Sequence, residues 1–146
     1  MKVAGVDLGL STRAECLYGV RVPIDEDLQE RDYGTAEGRT TDELRAEAAG
    51  WDSWTAAIDG AETIDELGVR ADRAIARALA AGEAAAGDGD HDVLLVAHGH
   101  LLRVLAARWL QQPAILGSQL ALGVGAVSVL GFERDRRVLL RWNAVG

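Results

Sequence analysis

His98 and His100 stand either side of Gly99, directly after an apolar run at 93–97 and directly before a stretch with helical spacing. An imidazole at such a strand-to-helix junction meets free amides and the positive end of the helix dipole, which is where α/β proteins gather anions. Gly99 permits close backbone approach, so His98 and the amides of 99–101 can converge on one phosphate-sized group. From position alone this role for His98 weighs about evenly against a structural one, capping the helix or filling the strand end. Glu30 lies in Leu28-Gln29-Glu30-Arg31-Asp32-Tyr33-Gly34, a dense mixture of acid, base and phenol. A partly buried carboxyl there can serve as a general acid, whereas a solvated charged turn is the commoner case. Arg13 has an address like that of His98, just after the first expected strand, and a guanidinium can fork two donors onto a phosphate or carboxylate. Most lone arginines, however, are solvated surface groups.

The elements that would position these groups are legible in part. Residues 3–8 (VAGVDL) read as a short strand, and Ser11 as the N-cap of a short helix through Ala14 and Leu17 that Gly19 and Pro23 interrupt. Two capping boxes, Thr40-x-x-Glu43 and Thr63-x-x-Glu66, announce helix starts. After the second, Ile64, Leu67, Ala71, Ala74, Ile75, Ala78 and Leu79 recur at three- and four-residue spacing, which predicts a core-facing helix to about Ala81. Residues 84–90 (AAAGDGD) read as a solvated loop. The continuous apolar run at 92–97 predicts a strand covered on both faces. A helix follows through Trp109 and Leu110 and stops before Pro113, and segments 126–132 and 137–142 flank a charged turn as an antiparallel hairpin. Trp51, Trp54 and Trp142 are expected to pack on the core, and the arginines of 134–137 to be solvated. The order of elements predicts an α/β fold, a three-layer sandwich with a mostly parallel sheet and a C-terminal antiparallel hairpin.

Composition sets outer limits. A chain of 146 residues is the size of one domain and can bury roughly 70% of the surface its unfolded form exposes. Its net charge of −8 argues against nucleic acid or an anionic membrane as the main partner, since both require clustered cations. No apolar stretch is long enough to span a bilayer and no basic-then-apolar leader opens the chain, so a cytoplasmic protein is expected. With Cys16 alone and three histidines, neither an internal disulfide nor a structural metal is expected.

Five blocks in order carry a resemblance: 28–38 (LQERDYGTAEG), Trp51 with Trp54, Gly60–Glu62 with Leu67 and Arg70, 94–110 (LLVAHGHLLRVLAARWL) and 127–143 (VSVLGFERDRRVLLRWN). Together they resemble the histidine phosphatases, the phosphoglycerate-mutase-like superfamily, over about residues 10–146. The resemblance implies one domain over 1–146 and phosphoryl transfer through a phosphohistidine, formed by a histidine in an N-terminal Arg-His-Gly motif and relieved by water or a second substrate. It implies that His98 is the second active-site histidine, that Glu30 protonates the leaving oxygen, and that Arg13 contacts the phosphate, with Gly99, His100 and Tyr33 on the substrate side. The partner would be a small phosphorylated metabolite or inorganic phosphate, with no metal and no cofactor, since such transfer needs mainly positioning and charge compensation.

The chain also departs from that pattern. No Arg-His-Gly occurs in it, and where the family's first strand and helix should precede residue 10 only MKVAGVDLG stands. His91 opens the strand whose far end carries His98, a separation of five or six residues at ~3.3 Å each, too far to replace the nucleophile. His100 is nearer but occupies a variable position. Leu17 stands where a hydroxyl or thiol is common, and the segment from Arg13 to Leu28 is short for the family. Three arrangements answer the missing central strand: residues 1–8 fill the gap, a second copy covers the open edge as a homodimer, or the chain is a truncated reading frame. The expected function is phosphomonoester hydrolysis or phosphoglycerate-mutase-type transfer, impaired for want of the nucleophile. The alternative is a non-catalytic phosphate-binding or interaction module. A phosphate loop of the actin-like or sugar-kinase kind at 3–12 is disfavoured, because that fold needs a second such loop and a longer chain.

Overall fold

The computed structural model describes residues 23–145 apart from 86–91, together with the backbone of three strands before them: β1 (Val3–Asp7), β2 (Glu15–Leu17) and β3 (Val20–Arg21). Arg13, His91 and the expected N-cap Ser11 lie outside the described residues. Beyond them come α1 (Thr41–Glu47), α2 (Ile64–Ala85), β4 (Val93–Ala97), α3 (Gly99–Trp109), β5 (Val127–Glu133) and β6 (Arg136–Ala144), with single turns of 3-10 helix at Glu26–Leu28 and Gly34–Ala36 and a longer one at Ala114–Gln119.

Four strands form one sheet in the order β4-β1-β5-β6. Strand β1 runs parallel to β4, from Val3 opposite Val93 to Asp7 opposite Ala97, and antiparallel to β5, from Val3 opposite Leu130 to Val6 opposite Val127. Residues 3–7 therefore occupy an interior position of the sheet, the first of the three arrangements considered above. One of the three pairings is parallel; β5 enters antiparallel to β1, and the hairpin adds the third. The hairpin closes through a two-residue loop, and Arg134 adopts the left-handed conformation (φ 56°) that such tight turns demand. The helix expected to reach Leu17 is not what forms there: Glu15–Leu17 pairs antiparallel with Val20–Arg21, a local ladder that satisfies the backbone of residues too few to nucleate a stable helix.

Both capping boxes form. The Thr40 and Thr63 hydroxyls accept from the Glu43 and Glu66 amides at 3.3 and 3.2 Å, while each glutamate accepts from its threonine amide, at 2.8 and 2.9 Å. Helix α2 continues to Ala85, one turn past the expected end at Ala81, its tail carried by Glu83, Ala84 and Ala85, good helix formers that outweigh Gly82. Its small residues Ala71, Ala74 and Ala78 let α3 approach closely, and the two helices bury Leu67, Ile75, Leu101, Val104 and Leu105 in one cluster that Ala97 and Leu130 of the sheet complete. Trp109 is fully buried. Its indole N–H donates to the Val138 carbonyl at 3.1 Å, and Phe132 meets its ring edge-on at 5.2 Å. The Arg137 guanidinium lies 5.0 Å from that ring's centroid, so Arg137 is a packing residue and not the solvated turn residue expected of it.

Strand β4 is not covered on both faces. Leu95 and Ala97 turn to the helices, while Leu94 is 56% exposed. An unbroken apolar run reports composition; coverage depends on what the rest of the chain lays over each face. Among the described residues no helix is long and apolar enough to cross a membrane.

Gly34 joins two loops that matter below. It adopts φ +51°, and a Cβ there would lie 2.2 Å from the Asp59 carbonyl oxygen and 2.5 Å from the Ala61 nitrogen, both backbone atoms. The Thr35 amide donates to Asp59 O and the Glu62 amide to Asp32 O, each at 3.0 Å. Gly34→Ala is expected to cost at least about 2 kcal/mol in denaturant unfolding. Gly38→Ala, at φ +72° with nothing within 4 Å, should lose only about 1 kcal/mol, the conformational strain alone.

Candidate active site

Glu30 reaches the site from a segment that α2 holds down. Arg70 on α2 forks onto the Glu62 carboxylate through Nε and a terminal nitrogen, both at 2.8 Å. The same guanidinium donates to the carbonyls of Asp27, Gln29 and Glu30 at 2.9, 2.7 and 3.3 Å. One turn further along the helix Arg73 pairs with Asp27, and two turns along Arg77 pairs with Asp25 and Asp27. Those outer pairs are partly exposed and add little energy; the Arg70 contacts fix the path of the backbone.

That path aims the Glu30 carboxylate at the start of α3. Oε2 accepts from the His100 amide at 3.1 Å, and Oε1 from the Leu101 amide at 3.1 Å and the Arg31 amide at 2.9 Å. Glu30 is thus no solvated turn residue. Two of the three amides expected to await an anion are instead bound by the chain's own carboxylate, which the first turn of a helix accepts as readily as a phosphate. His98 is the N-cap residue of α3 (φ −112°, ψ 172°). Its ring is half-buried and makes no capping bond, while its carbonyl accepts the Leu102 amide at 2.9 Å. Gly99 follows as the first helical residue. Asp7, at the carboxyl end of β1, is level with Ala97, the residue before His98.

His100 is the most heavily contacted of the expected residues. Nδ1 lies 2.7 Å from the Tyr33 hydroxyl and Nε2 lies 3.2 Å from the Ser53 hydroxyl. Its ring stacks on Trp54 at 4.5 Å with a 30° tilt and meets the Tyr33 ring edge-on at 5.4 Å. Arg103, one turn along α3, covers the Trp54 ring at 4.4 Å and donates to the carbonyls of Gly117 and Ser118 at 3.1 and 3.0 Å. Arg31 is 5% exposed, its charge surrounded by carbonyl oxygens: Nε donates to Glu62 O at 2.8 Å and a terminal nitrogen to Ser53 O. The structure thus brings Glu30, Tyr33, Gly99 and His100 into one neighbourhood with the His98 backbone. Arg31, Ser53 and Arg103 were not singled out from sequence, although Arg103 shares a helix face with His100 at i+3 spacing and Arg31 adjoins Glu30.

Burial sets the ionisation of this cluster. It pushes the Tyr33 hydroxyl well above its ordinary value of 10.0, helped by the neighbouring Glu30 charge, so the phenol keeps its proton. Burial likewise pulls the His100 imidazole below its ordinary 6.5; Arg103 and Arg31 act in the same sense and Glu30 and Asp52 oppose them. A histidine depressed in the folded state leaves stability intact above pH 6.5 and removes it as pH falls, because the unfolded chain then binds the proton more readily. In a ¹⁵N-resolved NMR titration His100 should remain neutral at pH 6.5, and unfolding free energy should decline below that pH by less in a His100→Gln variant than in the wild type.

Comparison with known proteins agrees with the sequence blocks. Residues 12–145 match the model of the histidine phosphatase superfamily, branch 1. An acid phosphatase of Mycobacterium tuberculosis is 37% identical over 112 residues, 77% of this chain and 52% of its own length. The sedoheptulose 1,7-bisphosphatase of Saccharomyces cerevisiae is 35% identical over 99 residues, 62% of this chain and 36% of its own. The solved structure of a mycobacterial glucosyl-3-phosphoglycerate phosphatase superposes with a TM-score of 0.75 at 28% identity, covering 88% of this chain and 68% of that one. The chain spans about half the length of the first of these curated relatives and about a third of the second. Its fold is the phosphoglycerate-mutase-like α/β sandwich, and the chain belongs to the histidine phosphatase superfamily.

Proposed function

We propose that this domain binds the phosphoryl group of a small phosphorylated metabolite, or inorganic phosphate, at the β4–α3 corner, and that the 146-residue chain does not turn such esters over. In this assignment His98 faces the bound phosphoryl group, Gly99 admits it to the backbone, Tyr33 and His100 line the substrate side, and Arg13 adds a second cation; protonating a leaving oxygen would fall to Glu30 only in a polypeptide that carries the nucleophile. The observation that carries it is the Glu30 carboxylate on the His100 and Leu101 amides, because it brings the acid implied by the resemblance to the helix start that follows His98, across 70 and 71 positions of the chain. Relatives named as an acid phosphatase and a sugar bisphosphatase support a phosphate monoester as the ligand class.

Support for an absence of turnover comes from β1. The parallel pairing with β4 brings the carboxyl end of β1 level with the residue before His98, the place from which a nucleophile on a first strand would act, and the sequence there is Val6-Asp7-Leu8-Gly9. Neither an arginine nor a histidine stands in that stretch of the sequence to attract and attack a phosphate. Non-catalytic binding is therefore part of the same proposal, and a phosphatase impaired by loss of its histidine is its evolutionary description.

Purified chain should give no sustained release of nitrophenol from p-nitrophenyl phosphate; sustained release that survives purification and vanishes in His98→Ala refutes the proposal of inactivity. Inorganic phosphate at about ten times its Kd should stabilise the fold by about 1.4 kcal/mol, a rise of a few degrees in Tm. That rise should be lost in His98→Ala, and a phosphate-independent Tm in the wild type removes the binding assignment. An in-frame Arg-His-Gly in the DNA upstream of Met1 would restore the nucleophile in a longer polypeptide, whose activity could then be measured directly.

A further inference from the structure

A second constellation stands between the loop carrying Ser53, the loop carrying Tyr33 and the first turn of α3. In it a hydroxyl lies 3.2 Å from one nitrogen of His100, and a second hydroxyl lies 2.7 Å from the other. An oxygen nucleophile within hydrogen-bond reach of an imidazole, itself oriented by a third group, is the arrangement that makes a serine reactive. The ring cannot turn away, because Trp54 stacks on its face and Tyr33 abuts it edge-on. Nor can Ser53 drift, because the buried Arg31 guanidinium holds its carbonyl oxygen.

We propose that Ser53 is a nucleophile toward phosphoryl electrophiles, with His100 as its general base and Tyr33 as the residue that positions the imidazole. This goes beyond the phosphate-binding reading, with which it shares Tyr33 and His100, and rests on the separate contact of Ser53 with His100. In the step, a bond forms between Ser53 Oγ and phosphorus while the bond from phosphorus to the leaving group breaks and its electron pair departs with that group. The hydroxyl proton passes to Nε2 of His100 and from there to the departing oxygen or to water. Phosphoserine and the free leaving group are the products of this half-reaction. The tautomer required carries its hydrogen on Nδ1 and donates it to the Tyr33 oxygen, which leaves Nε2 free to accept from Ser53. Burial keeps that imidazole in its neutral, basic form near pH 7. Arg31 and Arg103 hold the Ser53–Trp54 segment from its two sides, one through the Ser53 carbonyl and the other over the Trp54 ring.

Diisopropyl fluorophosphate, whose leaving group is fluoride, tests the assignment on the full chain. Intact-mass and peptide analysis should find one adduct per chain on the peptide bearing Ser53, and none in Ser53→Ala. The labelling rate should rise with pH to a plateau whose midpoint lies below 6.5. Tyr33→Phe, which keeps the ring packing but removes the hydroxyl, should slow labelling at least about tenfold. No adduct on the folded wild-type chain, an adduct on another side chain, or one that persists in Ser53→Ala overturns the proposal, and an unchanged rate in Tyr33→Phe overturns the role of Tyr33. Phosphate-dependent melting of the wild type reads the His98 pocket separately, so failure of one assignment is distinguishable from failure of the other.

Discussion

The carboxylate of Glu30 on the opening amides of α3 is the contact around which the functional end of this molecule is arranged. Helix starts leave amides without intrahelical partners, and His98 offers no side-chain cap. A side chain from 70 residues away fills the need. The consequence is a tie between the loop over 23–38 and the strand-to-helix corner, two parts of the chain that share no secondary structure. The His100 and Leu101 amides are thereby satisfied from within the chain.

That contact is possible only because Arg70 constrains the backbone behind it. A bidentate pair with Glu62 and three carbonyl contacts use the full fork of the guanidinium. A lysine, with a single ammonium, could not reproduce that geometry. Arg31 does the same on the other side of Glu30, joining the 59–62 turn to the Ser53 loop from a buried position. Two arginines adjoining the acid thus act as structural rivets. This is how a chain of net charge −8 can gather cations around one corner without a cationic surface.

The position of β1 has a comparable effect on the chemistry. It pairs on both edges inside the sheet, which removes the open strand edge that a missing central strand would leave. The same pairing carries Asp7 to the level of Ala97.

Much of this was open to sequence reasoning because it is local. The capping boxes at Thr40 and Thr63, the apolar stripe of α2, the run at 93–97 and the hairpin around Arg134 each arise from neighbours within a few residues, and each formed where its pattern indicated. Local pattern could not say that Leu94 would stay exposed, that Arg137 would lie over Trp109, or that 15–17 would pair as a strand, since each depends on what another segment does. The composition of the corner was likewise legible: His98, Gly99, His100 and the acid-rich segment around Glu30 stand out as residue types. Their connections are different in kind. That Glu30 meets the His100 and Leu101 amides, and that His100 lies between Tyr33 and Ser53, was decided by tertiary structure alone. Hydrogen bonds require placement to within a few tenths of an ångström, and between residues 47 to 71 apart only the packed core supplies it.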